Sequence, residues 1–255
     1  MEPVGSIALA RQEPRTAIIL LVLILLGWVF LVRAVTDMTN PLALLMMPMD
    51  SNWTMGNIAA VFVMWAAMMM AMMLPAAAPM VLTFANLCRH RQQSGLAWIF
   101  VAAYLVIWTL FSAAATVLHW GLQVSGMITP MMASSSIWLT GILLVVAGAV
   151  QFTSLKEVCL RYCRTPMGFL LTEWRDGATG ALHIGLKHGL FCLGCCWALM
   201  GLLFVAGVMN LAWVAALTAA VVIEKIHPAG VKIGKFLGGI LILTGLAQIA
   251  TLAVS

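Results

Sequence analysis

Long apolar runs separated by short polar breaks set the pattern of this chain, as over 18–32 and 238–254. The runs are continuous. A membrane-spanning barrel would instead alternate apolar and polar positions in segments of about ten residues. A helix needs about 20 mostly apolar residues to cross a bilayer. On that length the pattern predicts seven helical spans, at 17–35, 57–84, 96–119, 137–155, 182–208, 211–226 and 236–254. The expected fold is therefore all-α, a polytopic transmembrane bundle forming one domain over 1–255. The first run reads as a span and not as a cleaved leader, because Val35-Thr36-Asp37 after it is a poor cleavage site. The sixth span is short and carries Glu224-Lys225 at its end.

Composition strengthens this reading. Of 255 residues, 64% are hydrophobic and 8% charged, against about 25% charged in soluble domains. Such a surface needs lipid as its solvent, so the bilayer is the first expected partner. Charge then orients the bundle, since cytoplasmic loops collect Lys and Arg. With the N-terminus inside, the inner segments hold Arg11, Arg15, Arg89, Arg91, Lys156, Arg161, Arg164, Arg175, Lys187, Lys225, Lys232 and Lys235. Only Arg33, of the 13 basic residues, falls outside. An odd number of spans then places the C-terminus outside. The net charge of +5 is a topology signal, and no aromatic-basic interleaving points to nucleic acid. The inner segment after Lys156 is expected to hold a short amphipathic helix. Gly185-x-x-x-Gly189 would let two helices approach closely.

Methionine is the unusual count, at 19. On the second span Met64, Met68 and Met72 form one helical stripe, and Met69, Met73 and Met80 another. Thioethers suit Cu(I) and Ag(I) and are poor ligands for Zn, Mg or Ca. They are also flexible fillers of apolar interiors. Met64, Met68 and Met72 are the candidate ligand stripe. The outer loops add Met38, Met46, Met47, Met49, Met55, Met127, Met131 and Met132.

A second cluster lies on the fifth span, where His188, Cys192, Cys195 and Cys196 share about 100° of helical arc. Polar groups at membrane depth are functional by default, so metal or redox chemistry is expected there. A third is Cys159-x-x-x-Cys163, flanked by Arg161 and Arg164, which favour a metal-binding thiolate. None of the six cysteines falls outside in this topology, so structural disulfides are not expected. Glu224 is either an interfacial anchor or a partner for Lys225, Lys187 or His188. His119 and His183 lie near span ends and need no function.

Four segments resemble a known family: MWAAMMMAMMLPAAAPM (64–80), LKEVCLRYCRTP (155–166), GLKHGLFCLGCCWALM (185–200) and EKIHPAG (224–230). They are similar to the predicted metal-binding integral membrane proteins of bacteria, a domain of unknown function. The resemblance runs from about 60 to 245 and implies a multi-pass protein of the bacterial inner membrane. Three functions stay open. One is a soft-metal protein handling Cu(I) in transport, delivery or homeostasis. Another is a thiol-disulfide oxidoreductase using Cys192 and Cys195, although no outer cysteine pair accompanies them. The last is a noncatalytic subunit or assembly factor, with a membrane-complex partner or a second copy of itself. No phosphate-binding Gly-x-x-x-x-Gly-Lys-Ser/Thr segment is present, and an enzymatic role is the less favoured expectation.

Overall fold

The computed structural model describes residue 11 and residues 13–37, 39–49, 52–93, 95–129 and 133–254, the side chains of 252–254 excepted. Met38, Met131 and Met132 lie outside the described residues. The fold is helical. In order the helices are α1 (Pro14–Thr36), α2 (Pro41–Met46), α3 (Met55–His90), α4 (Leu96–Val124), α5 (Ile137–Val150) and α6 (Ser154–Arg164). They continue as α7 (Pro166–Glu173), α8 (Gly177–Gly201), α9 (Leu203–Ala206), α10 (Leu211–Ile226) and α11 (Gly230–Val254). Among the described residues, strand-like pairing is limited to one antiparallel bridge between Ile128 and Ser134.

Local chemistry starts these helices where polar breaks interrupt the apolar runs. Thr54 and Asn57 form a capping box at the start of α3, each side chain accepting from the other's backbone N–H. Ser136, Thr153 and Asn210 cap α5, α6 and α10 in the same manner, accepting from an N–H three residues on.

Five helices are long and apolar enough to cross a membrane: α1, α3, α4, the run Gly177–Ala206 made by α8 and α9, and α11 as far as Thr251. A sixth arises if α5 and α6 form one span bent by 63°. The predicted 137–155 segment is helical for only 14 residues. The predicted 211–226 segment coincides with α10, whose 16 residues fall short of the about 20 of a full crossing. The segment around and after Lys156, expected to hold one short amphipathic helix, forms two short helices, α6 and α7.

Burial separates centre from periphery. In α3 and in Gly177–Ala206, 56% of the most apolar window is buried, against 17% in α1 and 22% in α11. The central helices therefore carry the interior, and α1 and α11 present most of their surface outward. Two kinds of contact hold them. Between α5 and α11 the faces are glycine: a Cβ on Gly148 would lie 2.6 Å from the Gly238 carbonyl oxygen, and one on Gly245 2.8 Å from that of Gly141. Between α4 and α8 the expected Gly185/Gly189 face is the point of approach. A Cβ on Gly185 would lie 2.5 Å from the Phe100 carbonyl oxygen, and one on Gly189 2.7 Å from Ile107. This proximity brings Tyr104 of α4 against the α8 cysteines.

Candidate functional site

All six cysteines are free and buried. Cys192, Cys195 and Cys196 stand on the inward face of α8, as the helical spacing predicts, and are 0–2% exposed. The Cys195 and Cys196 thiols donate to the Cys192 carbonyl oxygen at 3.1 and 2.8 Å. This back-bonding satisfies the thiols within one turn and keeps the sulfurs together. Cys163 reaches the same place from α6, within thiol hydrogen-bonding reach of Cys192 and Cys195. Cys159, one turn earlier, sits against α8 at Gly194, where a Cβ would come 2.8 Å from its sulfur. The two cysteine motifs, 33 positions apart from Cys159 to Cys192 in sequence, thus form one buried thiol cluster.

The methionine expectation divides differently. Met64, Met68 and Met72 are all buried, at 2% exposure or less. A sulfur contact from α3 to the thiols, however, comes from the other stripe, with the Cys196 thiol 3.9 Å from Met73 Sδ. Met64 lies nine residues away on α3, about 14 Å of helical rise from Met73. Pro75 and Pro79 lie within α3 and supply no N–H to the carbonyls one turn before them. Beside this loosened stretch the Met73 carbonyl accepts the Tyr104 hydroxyl at 3.2 Å.

Tyr104 also meets Cys192 Sγ at 3.1 Å. On another side the Lys225 ammonium donates to the same sulfur at 2.8 Å. Met73 was part of the unselected stripe, and Tyr104 carries no sequence signal. Lys225 had one: a lysine inside the last turn of an apolar helix.

His188 packs among aromatic rings, with centroids 5.8 Å from Phe100, 5.5 Å from Tyr104 and 5.9 Å from Phe169. It is 2% exposed, and neither ring nitrogen has a hydrogen-bond partner. A buried polar group without a partner costs about 1–3 kcal/mol. These nitrogens lie one turn from Cys192.

Glu224 pairs with none of the expected residues. Its Oε2 takes the Lys156 ammonium at 2.7 Å, with both side chains buried. Arg164 donates to the Glu224 and Pro228 carbonyl oxygens. Lys187 pairs with Glu173 at 2.6 Å. The reason is geometric: α6 lies across the end of α10, and its basic residues cover that end before Lys187 can. The Glu224 Oε1 and both polar atoms of the Gln151 amide are buried without partners beside a small cavity that Lys156 and Gly234 also line. At the opposite end of α4, His119 is buried and accepts from Trp65 Nε1 at 3.4 Å.

Among the described residues no three His, Cys, Asp or Glu side chains are grouped as a formed metal site. The donors that do converge are thiols, one thioether and one imidazole. They are soft or borderline, a set suited to Cu(I) and unsuited to Mg or Ca. No curated protein and no solved structure matches the chain. A family model described as copper chaperone matches residues 62–248, which include every residue of this cluster, and the chain belongs to that PpoB2 copper chaperone family.

Proposed function

We propose that this protein is a multi-pass inner-membrane copper chaperone that holds Cu(I) at the buried thiol cluster and passes it to a membrane partner. The observation that carries the reading is the gathering of Cys163, Cys192, Cys195 and Cys196 in one buried place, with His188, whose two buried nitrogens lack partners, one turn from Cys192. A copper chaperone needs soft ligands, exclusion of water and more than one ligand arrangement, so that the ion can be exchanged. Cys192 and its neighbouring thiols hold the ion in this reading. His188 and Met73 are the neutral donors beside them, and Cys159 is a relay on the α6 side. Met64, Met68 and Met72 line the apolar route along α3.

The membrane topology belongs to the same proposal. Seven crossings, with α5 and α10 as short ones completed by the helices around them, put the N-terminus inside and the C-terminus outside. The sorting of all but one of the 13 basic residues to one side supports it. The thiol cluster then lies nearer the inner face, where a reducing compartment keeps thiols free. The methionine run points outward, where thioethers stay competent ligands. Delivery therefore runs along a gradient of ligand type.

Copper content per purified chain tests the site, comparing wild type with Cys192→Ser/Cys195→Ser after Cu(I) loading in nanodiscs. The expected result is about one copper in the wild type and loss of most of it in the variant. Equal copper in both would remove the thiol cluster as the site.

A further inference from the structure

A charge is buried at the thiol cluster that the ligand set alone does not explain. Lys225 is 6% exposed, and its ammonium donates to Cys192 Sγ. The carboxylate beside it in sequence, Glu224, is engaged by Lys156. Near the start of α8, Glu173 is engaged by Lys187, and the N-cap Asp176 by Arg91. Among the described residues, Lys225 makes no ion pair with a carboxylate. The other groups around the cluster are the Tyr104 hydroxyl, the Met73 thioether, the His188 imidazole and the thiols of Cys163, Cys195 and Cys196. Glu224 lies within electrostatic range of Lys225 and Cys195, but its charge is met by Lys156. A charge buried in an apolar interior must be balanced locally or it costs heavily.

We infer that Lys225 is the counter-ion of the loaded site and fixes its ligand set as two thiolates on one monovalent ion. The inference rests on the proposed copper-holding function of the cluster. A monovalent ion held by two thiolates carries one negative charge, and the Lys225 ammonium brings the assembly to neutrality. With one thiolate and neutral donors the ion would be neutral and Lys225 would stand uncompensated. With three thiolates the assembly would be negative. A divalent ion reaches the same balance only with a third thiolate. Lys225 thus selects the coordination in which soft monovalent ions are at their best. Cys192, which already accepts from Lys225, supplies one thiolate, and a thiol of Cys163, Cys195 or Cys196 supplies the other. Lys225 is a positioning residue here: it acts on the ion through the sulfurs.

The test loads full-length protein in nanodiscs with Cu(I), and separately with Ag(I), and reads affinity together with thiolate number. X-ray absorption on loaded Met73→Leu, which removes the thioether beside the thiols, should give two sulfurs per copper; one or three would overturn the counter-ion role. In Lys225→Met the thiolate-to-copper ultraviolet band per bound ion should halve, and affinity should fall at least about tenfold, a modest share of what one unit charge at this range can contribute. Lys225→Arg keeps the charge and should restore most of the band. An unchanged band and affinity in Lys225→Met would overturn the inference while leaving the copper site standing. Failure of the wild type to bind either ion would instead overturn the proposed function, and this inference with it.

Discussion

The α5/α11 pair and the α3/α4/α8/α10 centre are both apolar helix packing, yet they are built on opposite terms. The first is made by leaving side chains out. Gly141, Gly148, Gly238 and Gly245 let backbone meet backbone, with a would-be Cβ 2.5–2.8 Å from the facing atoms. Dispersion between close backbones is what associates helices in lipid, where no hydrophobic gain is available. The centre is made by putting chemistry in: three α8 thiols met by Cys163 of α6, a phenol, an ammonium and an imidazole with no partner. The difference teaches that the first region is optimised for association and the second is not optimised for stability at all. In the proposed function, unsatisfied groups and flexible sulfurs are tolerated because the site accepts and releases an ion.

The largest effect should come from the glycine pair. Gly148→Val places a branched side chain where even a Cβ would meet the Gly238 carbonyl oxygen at 2.6 Å and the Ile242 nitrogen at 3.0 Å. Backbone on the facing helix cannot step aside as a side chain would. Overpacking of this kind costs about 3 kcal/mol, read as a lower midpoint in detergent-titrated unfolding. The copper bound per folded molecule should stay as in the wild type. A loss of copper affinity in the folded fraction would mean that the two regions are coupled, and the comparison would fail.

An intermediate effect, and one of opposite sign, is expected in the centre. His188→Phe removes two buried nitrogens without partners from a cage that Phe100, Tyr104 and Phe169 already make aromatic. The protein should gain about 1 kcal/mol of stability, the lower end of the cost of an orphaned polar group. Cu(I) affinity should fall as stability rises, a trade expected where a residue is kept for function. Destabilisation with unchanged affinity would make His188 an ordinary core residue.

The all-helical fold was legible because its apolar runs are long and continuous. The thiol face of α8 was legible because helical periodicity alone puts His188, Cys192, Cys195 and Cys196 on one side. The convergence of Cys163 on that face was not, since sequence spacing says nothing about where α6 turns after α5. The partner of Glu224 was missed for the same reason. Lys156 lies 68 positions away, and three nearer bases were the natural candidates. The lengths of the α5 and α10 segments were read from hydropathy, which marks apolar residues and not where a helix breaks. At Gln151–Thr153 the α5 helix ends in a turn, and the Thr153 cap starts α6 in a new direction.

The smallest effect falls on the choice between the two methionine stripes, and it sharpens the comparison most finely. Both Met72 and Met73 are fully buried, and Met→Leu at either is a near volume-conserving swap costing less than about 1.5 kcal/mol. Stability therefore cannot separate them. Ligation can, because only the Met73 sulfur stands 3.9 Å from the Cys196 thiol, while periodicity favoured Met72 with Met64 and Met68. Met73→Leu should weaken Cu(I) binding several-fold in competition with a soluble Cu(I) chelator, and Met72→Leu should leave it unchanged. An equal loss in both variants would mean that thioethers act through the softness of the packing and not as ligands. A loss confined to Met72→Leu would return the site to the stripe that the sequence pattern singled out. The contrast matters beyond one sulfur: Met72 and Met73 are adjacent in the chain and equally buried, so in the proposed function only metal binding tells a packing methionine from a ligating one.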